Sequence, residues 1–316
     1  MTHNSGQQAP KTIPGVGHVA RDYDAYLLDQ FGVLHNGKEA YPAAVDAVRR
    51  LAEAGKTLVI ISNSSRRSSE TLAKLEPLGM DPRWFSGVVT SGELTHAALL
   101  RRGEPAGDAD FAALGSSALH LTWGARGAIS LEGLRLRLVQ TPEAADFVLA
   151  HGLEALGAEP GDTPRAVGMD DIRALLQRAA ELRLPLVIAN PDEVTVAGAS
   201  LVPMPGALAP MYRSMGGGGG IVLMGKPHPR IYAAAQLLCG GAPPQRILAV
   251  GDSLTHDVAG ANAAGIDCLF VAGGIHAAAL GVAAGRPPPG AAAVEALAQT
   301  EGRGAMPTYW SEHFSW

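Results

Sequence analysis

Four groups able to do chemistry each follow a short apolar run. Asp29 closes Ala25-Tyr26-Leu27-Leu28, and Ser62-Asn63 closes Thr57-Leu58-Val59-Ile60-Ile61. Lys226 comes soon after Ile221-Val222-Leu223, and Asp252, with Asp257 behind it, closes Arg246-Ile247-Leu248-Ala249-Val250. Such runs read as strands buried on both faces, and parallel strands share one carboxyl edge, where open α/β sheets place their chemistry. Taken singly, each group has a duller reading. Asp29 or Asp252 is then a helix cap, Ser62-Asn63 a turn and Lys226 a solvated charge. Four strand-end groups in one chain favour a single converging site.

The elements that must position these groups alternate. After Asp29 a helix is expected from about Pro42 to Ala54, with Val45, Val48 and Leu51 on one face. Helical stretches then run to Leu78 and from about Thr95 to Arg102, with the strand Gly87-Val88-Val89 between them. The alternation resumes late, with helices near Pro229–Cys239 and His256–Ala264 and a strand at Cys268-Leu269-Phe270-Val271. Short loops between strand and helix imply right-handed parallel crossovers. The fold class is therefore α/β, a doubly wound parallel-sheet (Rossmann-like) core made of residues 1–91 and 205–316. Residues 92–204 change character and read as an inserted α+β domain, with a helix from Asp170 to Leu182 and a strand at Leu186-Ala189. Residues 1–22 read as a loose arm. The aromatic tail, 303–316, reads as a segment docked on the core, with a subunit contact as the sharper alternative. The glycine run 216–220 reads as a surface loop.

The motifs resemble those of haloacid-dehalogenase superfamily hydrolases of class IIA (NagD-like), whose cap is inserted between the second and third motifs. Asp29-Gln30-Phe31-Gly32-Val33 is similar to the first motif and Ser62-Asn63 to the second. "GKPHPRIY" around Lys226 is similar to the third and "GDSLTHDVAGANAAG" from Gly251 to the fourth. "VIANPDEV" at 187–194 resembles the end of the cap. The resemblance implies Mg²⁺-dependent hydrolysis of a small phosphorylated metabolite through an aspartyl-phosphate on Asp29. It implies a metal held by Asp29, the Phe31 carbonyl and Asp252, with Asp257 orienting from behind. Ser62 and Asn63 would hold phosphate, and Lys226 would add positive charge beside the nucleophile. Asn190 and Asp192 are candidate cap contacts to substrate.

Phe31 departs from the pattern, because the family's phosphomonoesterases usually carry an acid two residues past the nucleophile. Phenylalanine keeps the carbonyl and loses the proton donor. Either the leaving group needs no proton, or another group supplies it, with His35 or Glu193 as candidates. His35 otherwise reads as a solvent-exposed turn residue. A carbon–halogen hydrolase, whose halide leaves unprotonated, is the alternative that Phe31 raises. The late cap insertion and the metal-like "GDSLTHD" count against it. A phosphate-binding protein without turnover is the second alternative.

The totals agree with a globular enzyme. Of 316 residues 47% are apolar and 17% charged, and 25 Lys plus Arg against 30 Asp plus Glu give a net charge of −5. Scattered basic pairs leave no nucleic-acid footprint. No apolar run is long enough to span a bilayer, and the expected location is cytoplasmic. Cys239 and Cys268 sit in apolar runs and read as buried thiols. The cap class and the aromatic tail make a homodimer plausible.

Overall fold

Ala25–Leu28 is buried along its whole length and lies inside a seven-stranded sheet in the computed structural model. The structure describes residues 9–316 apart from 106, 125, 126, 128, 160, 161, 198, 199 and 284–288. In spatial order the strands are Lys11–Thr12, Tyr309–Ser311, Asp267–Val271, Ile247–Gly251, Ala25–Leu28, Thr57–Ser62 and Gly87–Thr90. Every neighbouring pair is parallel. Alternate side chains serve two cores. Tyr26, Leu28, Leu58 and Ile60 enter one, while Leu27, Val59 and Ile61 enter the other. Helix Pro42–Glu53 covers the first face with Ala44, Ala47, Val48 and Leu51, the three-and-four spacing of one helical stripe. Helix Pro229–Gln236 covers the second face with Ile231, Tyr232 and Ala235.

The winding reverses between Ala25–Leu28 and Ile247–Gly251. From the first strand the chain steps outward through Thr57–Ser62 to Gly87–Thr90; from the second it steps the other way to Tyr309–Ser311. The strands that end at Asp29 and Asp252 are therefore neighbours at the switch point, where an open sheet leaves a crevice.

A second sheet lies between these halves of the chain. Its order is Ile221–Leu223, Leu186–Ile188, Phe147–Ala150, Ser117–Thr122, Ala155–Leu156 and Arg165–Ala166, with Arg137–Val139 also pairing Ser117–Thr122. Helix Met169–Glu181 packs Ile172 and Leu176 on one face, and Leu99, Phe111 and Met224 pack on the other. A hairpin, Val194–Ala197 with Ser200–Pro203, projects from it.

Two expectations are corrected here. Ile221–Leu223 pairs with Leu186–Ile188, so residues beyond 204 still belong to the second sheet, and Lys226 descends from that sheet to meet the first. The short run covers an edge that would otherwise leave backbone groups unpaired. The N-terminal segment is also not loose over its described part. Lys11 and Thr12 pair with Tyr309 and Trp310, and Val16 is fully buried. Residues 1–8 of the expected arm lie outside the described residues. The tail docks on the core as the blander reading holds, with Trp310 and Phe314 buried and Tyr309–Ser311 a strand. Both cysteines are free and buried. Among the described residues no helix is long and apolar enough to cross a membrane.

Candidate active site

The strand ends meet in a cleft of about 1710 Å³ whose floor holds Asp29, Lys226 and Asp252. Asp29 follows its strand directly and its N–H donates to the Val250 carbonyl at 2.9 Å, which ties the two switch-point strands together. Lys226 Nζ donates to Asp29 Oδ1 and to Asp257 Oδ1, each at 2.7 Å, with only 3% of its side chain exposed. Asp257 reaches the site from a π-helical turn, Leu254–Val258, and its Oδ2 accepts the Ser253 N–H at 3.1 Å. A π-turn puts an extra residue in the loop and is a frequent device at functional sites. Asp252 Oδ2 accepts the Ile275 N–H at 2.8 Å.

Carboxylate oxygens of Asp29, Asp252 and Asp257 lie within 4.8 Å of one another. Lys226 thus pairs with two of three clustered buried acids, Asp29 and Asp257. Burial pushes the Asp29 carboxyl up from 3.8 to about 7, against the opposing pull of Lys226. Burial, and then Asp29 and Asp257, push Asp252 well above its ordinary range. Burial works against the Lys226 ammonium, but Asp257 and Asp29 outweigh it and hold the amine charged. Gly32 adopts a φ of +77°, and a Cβ there would run into Asp252 Oδ2. The chain can turn so close under the carboxylates only as glycine.

The second motif supplies a joint. Ser62 is buried, and its Oγ accepts the Ser64 N–H at 3.2 Å. Asn63 Oδ1 accepts the Lys226 backbone N–H at 2.6 Å, and Asn63 Nδ2 donates to the Lys226 carbonyl at 3.2 Å. Gly225, at φ +122°, lets the chain pass against Asn63 and Ser91 where any Cβ would collide.

Four expected residues are placed less simply. Phe31 is exposed in the cleft wall, its ring set edge-on to His35 at 4.7 Å. His35 is not a solvent-exposed turn residue: it is 5% exposed, its Nδ1 accepts the Gly37 N–H at 3.1 Å, and burial pushes its pKa down to about 4. Asn190 is buried, and its Oδ1 accepts the Asp192 N–H at 2.9 Å, so its side chain shapes a turn. Asp192 Oδ1 accepts from Asn63 Nδ2 at 2.7 Å and lies 3.2 Å from His256 Nδ1.

Several contacts between the sheets went unread in the sequence. Trp123 Nε1 donates to Ser65 Oγ at 3.1 Å, and Arg230 pairs with Asp108 and Asp110 at 2.8 and 2.6 Å. His256 had only one available signal, its place beside Asp257.

Comparison with known proteins agrees with this geometry. Residues 26–123 match the family described as haloacid dehalogenase-like hydrolase, and residues 223–299 match one described as HAD-hydrolase-like. Human chronophin is 30% identical over 264 residues, covering 79% of this chain and 81% of that protein. The chain belongs to the haloacid dehalogenase-like hydrolases. Another haloacid dehalogenase-like hydrolase, from Brucella suis, shares the fold with a TM-score of 0.69 at 32% identity, over 84% of this chain and 91% of that one. Glycerol phosphate phosphatase from Mycobacterium tuberculosis, solved in complex with magnesium, gives 0.61 at 25% identity, over 93% of this chain and 76% of that one.

Proposed function

We propose that this haloacid dehalogenase-like hydrolase is a Mg²⁺-dependent phosphatase of small phosphorylated metabolites, acting through an aspartyl-phosphate on Asp29. The observation that carries the reading is the excess of buried carboxylate: Asp29, Asp252 and Asp257 around the single ammonium of Lys226. A divalent cation fits that charge. Asp257 is already engaged by Lys226 and the Ser253 N–H, so Asp29, Asp252 and the Phe31 carbonyl are the groups that would hold the ion. When bound, Mg²⁺ supplies neutralisation of the repulsion between carboxylate and phosphoryl group. The names of relatives, chronophin apart, support the same class: glycerol phosphate phosphatase was solved with magnesium.

The chain's own residues then divide the work. An Asp29 oxygen attacks phosphorus, the bond from phosphorus to the leaving oxygen breaks, and that oxygen keeps the electron pair. Water next attacks phosphorus, the bond to Asp29 breaks, and the carboxylate is regenerated with release of inorganic phosphate. Lys226 holds Asp29 in place and offsets charge at the reaction centre; Ser62 and Asn63 line the phosphate end. The second sheet and its hairpin act as the cap, which limits water and reads the leaving group.

Phe31 sets the leaving group. It has no proton to give, and His35, neutral through burial and committed to Gly37, does not replace it. Aryl phosphates, acyl phosphates and anhydrides are the favoured substrates, since their leaving groups depart as stable anions. The Phe31→Asp variant restores an acid in the cleft wall. Its alkyl-to-aryl ratio of kcat/KM should rise by about a hundredfold or more, the usual worth of a general acid. An unchanged ratio would place the proton donor elsewhere, with cleft-lining Glu193 next to test. Chloroacetate should not be turned over, because halide displacement by a carboxylate needs no divalent cation, whereas the Asp29–Asp252–Asp257 cluster carries the charge to hold one.

Metal binding has its own readout. Mg²⁺ should raise the melting temperature of the wild type, and Asp252→Asn should remove most of that rise. A thermal melt with Mg²⁺ and with EDTA measures both.

A further inference from the structure

Asp192 stands in the cleft wall like a substrate contact, yet one oxygen of its carboxylate is already engaged by the protein. One oxygen accepts from Asn63 Nδ2 at 2.7 Å and faces His256 Nδ1 at 3.2 Å. The post that carries it is rigid. Asn190 Oδ1 takes the Asp192 N–H, and the Gly206 N–H donates to the Asp192 carbonyl, both at 2.9 Å.

Asn63, in turn, has every position of its amide filled. Its two N–H groups go to Asp192 Oδ1 and the Lys226 carbonyl; its oxygen takes the Lys226 N–H at 2.6 Å and Ser91 Oγ at 3.4 Å. Asp192 and Lys226 follow adjacent strands of the second sheet, Leu186–Ile188 and Ile221–Leu223, while Asn63 follows a strand of the first. One amide therefore joins both sheets and grips the Lys226 backbone on its N–H and its carbonyl. Asp192 adds a side-chain acceptor from the cap to the two backbone bonds with Lys226 that set which way the amide faces.

We propose that Asp192 is a positioning residue that orients the Asn63 amide, and through it the Lys226 backbone, when the cap lies closed on the core. The inference rests on the phosphatase reading for its kinetic consequence, but not for its structural one. Without Asp192, an Asn63 N–H loses its acceptor and the amide can turn, which loosens Lys226 N–H and misplaces the ammonium. Misplacement of a catalytic group by a fraction of an ångström to an ångström is worth about tenfold or more in rate.

The test compares Asp192→Ala with Asp192→Asn. Asparagine loses the charge and keeps an oxygen that accepts from Asn63. On an aryl phosphate, Asp192→Ala should lower kcat by about tenfold with little change in KM, and Asp192→Asn should recover most of kcat. In an Asn63→Ala background, removing Asp192 should cost kcat nothing further. A substrate-free readout accompanies these rates. The chain has five lysines, so a ¹⁵N-lysine amide spectrum resolves Lys226, assigned by its loss in Lys226→Arg. The Lys226 amide should shift in Asp192→Ala and stay near its wild-type position in Asp192→Asn. Equal damage from both variants, additive losses with Asn63→Ala, or an unmoved Lys226 amide would each overturn the proposal. A wild type that releases no phosphate while its Lys226 amide responds as stated would overturn the phosphatase reading alone.

Discussion

Asp29→Asn is expected to lower phosphate release by about 10⁴-fold or more while leaving the protein folded. Removing a nucleophile deletes the covalent route, and what remains is binding and electrostatics, which give residual rates many orders below the enzyme. The fold should tolerate the change because asparagine matches the volume and Lys226 keeps Asp257 as a partner at 2.7 Å. Without metal the variant should even be the more stable of the two near neutral pH. Burial raises the folded Asp29 pKa from 3.8 to about 7, so the folded state binds the extra proton in that window. The contribution is present in full below pH 3.8 and is lost as pH rises through about 7. In EDTA, wild-type stability relative to Asp29→Asn should therefore fall between those limits. Melts across that range, beside a phosphate-release assay with Mg²⁺, measure both effects. A variant that keeps turnover would end the aspartyl-phosphate reading; one that retains ligand binding at wild-type strength without turnover supports it.

The parts of this site that were legible in the sequence are those written locally. The largely β-branched run Thr57-Leu58-Val59-Ile60-Ile61 reads as a strand buried on both sides, and the group at its end is then placed by topology. Asp29 and Asp252 were legible for the same reason. Ile221–Leu223 was not, since three apolar residues carry no mark of which sheet they join. Lys11–Thr12 has no apolar pattern at all; its strand exists because Tyr309 and Trp310, at the far end of the chain, offer an open edge. Such distant pairings leave nothing to read in either segment alone. His35 misled because His-Asn-Gly is turn chemistry, while its burial comes from the fold of the loop and the Phe31 ring beside it. Asp192 lines the cleft as its place at the end of the cap suggests, while its bond to Asn63 is not legible, because sequence shows a side chain's class and not its partner.

Lys226→Met probes the charge balance from the opposite side. Methionine keeps most of the side chain's length and apolar volume, so the loss is that of the ammonium. Two carboxylates that each lay 2.7 Å from Nζ are then left buried and facing one another. Breaking a buried pair in this way costs about 3–5 kcal/mol, because the remaining charge stays desolvated. Activity should fall on the order of 10³-fold, the effect of deleting a preorganised charge aimed at the reaction centre. The destabilisation should be largest in EDTA and smaller with Mg²⁺, which supplies positive charge to the same carboxylates. The pair Asp29→Asn and Lys226→Met then gives a sharper result than either alone. Removing one acid along with the ammonium lowers the unbalanced charge, so the double variant should melt above Lys226→Met by a clear margin. A gain on adding Asp29→Asn to Lys226→Met that exceeds the gain Asp29→Asn gives in the wild type would mean that Lys226 holds the site by charge, whereas an equal gain would mean that it holds the site by packing.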